Sequence, residues 1–124
     1  MIILGDLNCG PDASPMNYNL LKSYGYVDGA LNYICKETSN QDSFITWCPK
    51  NKLNARGVHR HLPPARIDHV FVKEGSNLEV ADLTMKFKEQ IVPTDSFDQN
   101  VTLSDHYALD ALIQVQVTRP LYSI

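Results

Sequence analysis

The sequence predicts an α/β fold of the α+β kind, in which short strands carry polar groups at one rim of a sheet. Three observations lead there. Polar clusters adjoin short apolar runs at Met1-Ile2-Ile3-Leu4 with Gly5-Asp6-Leu7-Asn8, at Arg66-Ile67-Asp68-His69 with Val70-Phe71-Val72, and at Leu103-Ser104-Asp105-His106 with Ala108-Leu109. The first run passes through turn chemistry into a helix start, and the last continues with period two. At 124 residues and 44% hydrophobic content, the chain suits a single domain or a piece of one with a packed core.

Met1 to Leu4 is apolar and partly β-branched, and reads as a buried strand entered with no preceding turn. Gly10-Pro11-Asp12 is a turn. Ser14 then stands as N-cap to a helix over Pro15 to Tyr24, with Met16, Leu20, Leu21 and Tyr24 on its packed side and Gly25 as its stop. Val27 to Ile34 predicts a second short helix with Gly29 inside it, and Glu37 to Ser43 a polar loop. Phe44-Ile45-Thr46-Trp47 has strand composition and ends at Pro49. Pro63-Pro64 delivers the chain extended into a second central strand, Ala65 to Lys73, closed by the turn Glu74-Gly75-Ser76-Asn77. Leu78 to Phe87 alternates imperfectly and predicts a third strand; Lys88 to Thr102 is irregular and polar. Tyr107 to Val117 is the last strand, with Ala111, Ile113, Val115 and Val117 in period two. There is no internal repeat and no linker-like shift in composition.

No apolar run approaches ~18 residues, so no transmembrane helix is predicted, and the N-terminus lacks the basic region of a signal peptide. Three cysteines, Cys9, Cys35 and Cys48, match no zinc spacing and point to free thiols in a reducing, intracellular setting. The net charge of −3 argues against nonspecific nucleic-acid binding. It hides an asymmetry: Lys50, Lys52, Arg56, Arg60 and Arg66 fall between Pro49 and Ile67 with no acidic residue, and His59 and His61 lie among them. That segment reads either as a solvated insertion or as an arm that meets an anionic substrate or headgroup.

Asp6 and Asn8 are two apart at a strand end, where an extended backbone points both side chains to one side. A carboxylate beside an amide suits attack on a phosphate ester; the alternative is an Asx-type turn. Asp68 sits in an apolar run, and a buried carboxylate needs a partner. That partner is either a histidine that Asp68 orients, as in a catalytic triad, or Arg66 or His69 in a structural pair. Asp105 and His106 are adjacent, so their side chains diverge unless the backbone turns at Thr102-Leu103-Ser104. An imidazole titrates near working pH, which qualifies His106 as a base; as a lone histidine at a strand start it would be structural. His59, His61 and His69 carry no assigned role.

Taken together and in this order, Gly5-Asp6-Leu7-Asn8, Arg66-Ile67-Asp68-His69 and Ser104-Asp105-His106 resemble the last three signature motifs of the endonuclease/exonuclease/phosphatase superfamily. Trp47-Cys48-Pro49-Lys50-Asn51, the basic loop, and Thr102-Leu103-Ser104-Asp105-His106 followed by Ala108-Leu109 are similar to neutral sphingomyelinases. The resemblance implies a four-layered αββα sandwich with largely antiparallel sheets and Mg²⁺-dependent phosphodiester hydrolysis. By motif, Asp6 would position water or contact phosphate and metal, Asn8 would hold a non-bridging oxygen, and Asp105 would sit beside the metal. His106 would be general base or phosphate contact, oriented by Asp68, and Arg66 would touch substrate. The resemblance leaves open which of Asp6 and His106 activates water.

The superfamily's earlier motifs, with an asparagine and a metal-binding glutamate, have no counterpart here, so residues 1–124 are expected to form the C-terminal half of such a domain, its N-terminal half missing. An uncovered apolar sheet face would then seek a second copy or an N-terminal half-domain partner. The implied substrate is a phosphodiester, with a phospholipid headgroup ahead of nucleic acid and of inositol or sugar phosphates, acted on in the cytoplasm or at a membrane surface. The competing reading, from another class, is a catalytically incompetent half-domain that serves as a binding or assembly module.

Overall fold

A computed structural model describes residues 1–37, 44–89, 93 and 100–117. Its elements in chain order are β1 (Ile2–Asp6), α1 (Pro15–Ser23), β2 (Tyr26–Asp28), α2 (Gly29–Glu37), β3 (Asp68–Lys73), β4 (Leu78–Lys86) and β5 (Ala108–Val115). Two antiparallel sheets result, one ordered β1-β3-β2 and one made of β4 and β5. The α/β class of the α+β kind, with antiparallel strands, is therefore observed. β3 is central and buried on both faces, as Val70-Phe71-Val72 demands. Val70 and Val72 meet Val80 and Leu83 of β4 in the core between the sheets, joined by Ala30 and Phe44; Leu109, Ala111 and Ile113 of β5 pack against it. Phe71 points the other way, into a second cluster with Cys9 and Tyr18 under α1. The second sheet covers this face at Val70 and Val72, whereas Leu4, the register partner of Val70 on the same face, stays exposed.

Several local expectations are corrected. β1 is an edge strand rather than a buried one, with Leu4 69% exposed, because only β3 pairs with it among the described residues. In α1 the packed residues are Tyr18 and Leu21, while Met16, Leu20 and Tyr24 face solvent. The short helix offers two apolar stripes, and a polar bond chooses between them: the Tyr18 hydroxyl donates to Asp28 Oδ2 at 2.6 Å. Ser14 makes no side-chain cap because its backbone is left-handed, at φ 51°. Gly25 does stop the helix, at φ 70°, and its N–H donates to the Lys22 carbonyl.

The helix expected over Val27 to Ile34 begins only at Gly29, after the strand β2. Gly29 is needed there for space: a Cβ would lie 2.6 Å from Val80 Cγ2 and 2.9 Å from the Val70 carbonyl oxygen. The Ala30 N–H donates to Asp28 Oδ1, so Asp28 performs an N-cap's work. Phe44 to Trp47 is no strand; Trp47 instead makes single bridges to Ala65 and to His106. The imperfect alternation of β4 is a bulge between Val80 and Asp82, which lets Val80 and Leu83 both face the core. At the end of β5, Val115 and the following Val117 are exposed. Most of the expected loops 37–43 and 88–102 lie outside the described residues.

Candidate active site

Antiparallel pairing puts the end of β1 beside the start of β3, so Asp6 and Asp68 are register partners. His106 lies two residues before the start of β5 in the other sheet. Trp47 ties the two together, since it bridges Ala65 just ahead of β3 and His106 just ahead of β5. The Thr46 hydroxyl, fully buried, accepts the N–H groups of Ile67 and Asp68 at 3.1 Å each and fixes the entry to β3. Across this seam His106 Nδ1 lies 2.8 Å from Asp68 Oδ2. A carboxylate accepts, so Nδ1 carries the proton and Nε2 is left as the ring's acceptor.

Among the described residues, Asp6, Asp68 and His106 are the side chains able to share a metal ion, one ligand atom from each lying within 4.8 Å of the others. Two carboxylates suit a hard divalent cation that keeps water or phosphate oxygens in its remaining positions. The imidazole, engaged by Asp68, is the poorer donor for such an ion. Asp105 stands outside that group. Its exposed carboxylate lies near Ser104 Oγ, at 3.4 Å.

Asn8 adopts φ 48°, and its N–H donates to Asp6 Oδ1 at 2.9 Å. The backbone is therefore an Asx-type turn, not the extended pair anticipated. Asn8 still lines a cleft of about 650 Å³, whose walls include Asp12, Asp105 and His106 with apolar Trp47, Leu53, Val58 and Leu62.

Arg66 is a correction. Its Nη2 lies 2.9 Å from Asp28 Oδ2, with only 8% of the side chain exposed, so the guanidinium expected on substrate is spent inside the fold. The same pocket holds His69, 1% exposed, whose Nε2 is 2.6 Å from the Cys9 carbonyl oxygen and whose Nδ1 is 3.5 Å from Asp28, too long for a good hydrogen bond. Burial pushes the Asp28 carboxyl up, but His69, the Arg66 charge and the Tyr18 hydroxyl outweigh it and hold the group below its ordinary value. Burial, then the bond to Asp28, pushes the Tyr18 phenol up. Burial and, less strongly, the Asp6 charge raise the Cys9 thiol.

Sequence reasoning overlooked Asp28, although it is a carboxylate among Tyr26, Val27 and Ala30 and invites the argument applied to Asp68. It gave no role to Asn51 and none to Asn54, buried in an otherwise polar, basic loop, which hold the segment that carries His106.

A family model described as the Endonuclease/Exonuclease/phosphatase family matches residues 1–106. No curated protein and no solved structure matches the chain. That match takes in all three clusters, with Asp6 and Asn8, Asp68, and His106 at its last position, and the chain belongs to the endonuclease/exonuclease/phosphatase family.

Proposed function

We propose that this chain supplies the base and phosphate-binding side of a Mg²⁺-dependent phosphodiester hydrolase acting on a phospholipid headgroup, in the manner of the neutral sphingomyelinases it resembles. The family is one of phosphodiesterase, nuclease and phosphatase-type hydrolases that generally use divalent metal ions. The observation that carries the reading is the 2.8 Å contact between His106 Nδ1 and Asp68 Oδ2 beside the Asp6 carboxylate. With Nδ1 protonated toward Asp68, Nε2 accepts the proton of an attacking water, and Asp68 stabilises the imidazolium that forms. Asp6 orients that water or binds the phosphate, and Asn8 donates to a non-bridging oxygen. Asp6 and Asp68 would hold the ion; when bound it supplies Lewis-acid stabilisation of charge on the phosphoryl oxygens.

A lipid headgroup is favoured over nucleic acid by the cleft's rim. Val58 is 78% and Leu62 43% exposed there, in the segment that also presents Lys50 and Arg60. An exposed apolar rim suits the hydrophobic part of an amphiphile. No helix of the described residues is long and apolar enough to cross a membrane. The proposed place of action is an intracellular membrane surface, reached peripherally.

Sphingomyelin vesicles, abasic DNA and inositol phosphates, assayed side by side with and without Mg²⁺, test the reading. Turnover of sphingomyelin that needs Mg²⁺ and disappears in His106→Ala, with the circular dichroism unchanged, is expected. DNA cleavage without lipid turnover would reassign the substrate, and inactivity on all three would favour a binding or assembly module. Activity retained by His106→Ala would reject the base assigned here.

A further inference from the structure

Asn51 sits in the basic loop but is only 2% exposed. A buried primary amide is costly unless its donors and acceptor are satisfied, and here they are. Its Nδ2 donates to the carbonyl oxygens of Ser104 at 3.0 Å and Asp105 at 3.1 Å. Its Oδ1 accepts the Leu53 N–H at 3.1 Å, and the Thr102 hydroxyl lies 3.0 Å from Oδ1 and 2.7 Å from the Ser104 carbonyl oxygen. The orientation of the amide follows from these partners, because carbonyls only accept and a backbone N–H only donates. Asn54, 8% exposed, adds a second donor to the Asp105 carbonyl at 2.8 Å and reaches the Cys48 carbonyl at 3.1 Å.

We infer that Asn51, seconded by Asn54, is a positioning residue for His106. The chain bends over Leu103, Ser104 and Asp105, just before His106, and that bend sets the direction in which the imidazole leaves the backbone. Asn51 grips both carbonyls of that bend, and the His106 N–H completes it by donating to Ser104 Oγ at 3.1 Å. By holding Ser104 and Asp105, 53 and 54 positions away in sequence, the amide gives the imidazole a fixed platform. The inference rests on the proposed role of His106 for its catalytic consequence, but its geometric content stands apart from activity.

The test is Asn51→Asp in the full chain. The change is isosteric and sets oxygen against the two carbonyls where donors stood. Nitrogen-15 imidazole spectra report the state of His106. The wild type is expected to show the His106 Nδ1–H held on Asp68, and Asn51→Asp to lose that hydrogen-bonded signal, while amide resonances of β1, β3 and α1 stay in place. An unchanged His106 signal in Asn51→Asp would overturn the inference. If that variant does not fold, Asn51→Ala removes both donors without adding a charge and is expected to give a smaller change of the same kind; no change would again overturn it. On a soluble probe, bis-p-nitrophenyl phosphate, Asn51→Asp should lower kcat roughly 100-fold with KM within about twofold. An inactive wild type would defeat the hydrolase reading, and the imidazole spectra would still decide the positioning role.

Discussion

Arg66 Nη2 and Asp28 Oδ2 lie 2.9 Å apart in the interior, with 8% and 1% of their side chains exposed. The pair joins the entry to β3 with the end of β2, and Tyr18 adds α1 through its bond to the same carboxylate oxygen. Removing one partner of such a pair leaves the other as an uncompensated buried charge. Arg66→Ala is therefore expected to lose about 3–5 kcal/mol of stability, read from urea denaturation. A variant of normal stability with a raised KM would return Arg66 to the substrate.

Acid should expose the same network. The Asp28 carboxyl is held below its ordinary value of 3.8 by His69, Arg66 and Tyr18, against burial. A carboxyl depressed on folding contributes its full stability above the unfolded value and loses it as pH falls through the folded value. Urea midpoints should then drop between about pH 5 and pH 2, and more steeply in the wild type than in Asp28→Asn. Parallel curves for the two proteins would exclude Asp28 as a source of the acid sensitivity.

Asp68→Asn leaves the shape of the dyad but exchanges a carboxylate for an amide beside His106 Nδ1. Under the proposed mechanism kcat falls by roughly 10²–10⁴, with substrate affinity little changed and the fold intact. Steady-state kinetics on the substrate identified by the panel measure this. A wild-type kcat would show that Asp68 serves only the fold.

Gly29 places the start of α2 against both sheets, where a Cβ would meet Val80 Cγ2 at 2.6 Å and the Val70 oxygen at 2.9 Å. The side chain of Val80 can turn, but the β3 backbone cannot yield cheaply. Gly29→Ala should destabilise by about 1–3 kcal/mol despite alanine's better helix propensity. Thermal unfolding of the two proteins makes the comparison, and a gain in stability would contradict the packing described.

The strands β1, β3, β4 and β5, the helix α1 and its glycine stop were all legible in apolar period and turn chemistry, which are local properties. That Asp68 needs a partner was legible too, because it stands in an apolar run, but which of His106, Arg66 and His69 it takes was not. Which face of α1 is buried was not legible, since Met16-Leu20-Tyr24 and Tyr18-Leu21 are both apolar stripes and only the distant Asp28 selects the second. The fate of Arg66 was hidden for the same reason: a basic residue in a basic loop reads as exposed until its partner on β2 is known.

The order of residues by itself determined a family, a set of strands and four chemically capable groups, because those depend on residue type and spacing along one segment. Tertiary structure alone decided that Asp6, Asp68 and His106 meet and that Asn51 holds the bend at Ser104 and Asp105. Those outcomes rest on hydrogen bonds between segments roughly 40 to 60 residues apart, where burial makes every donor seek an acceptor that no local pattern can name.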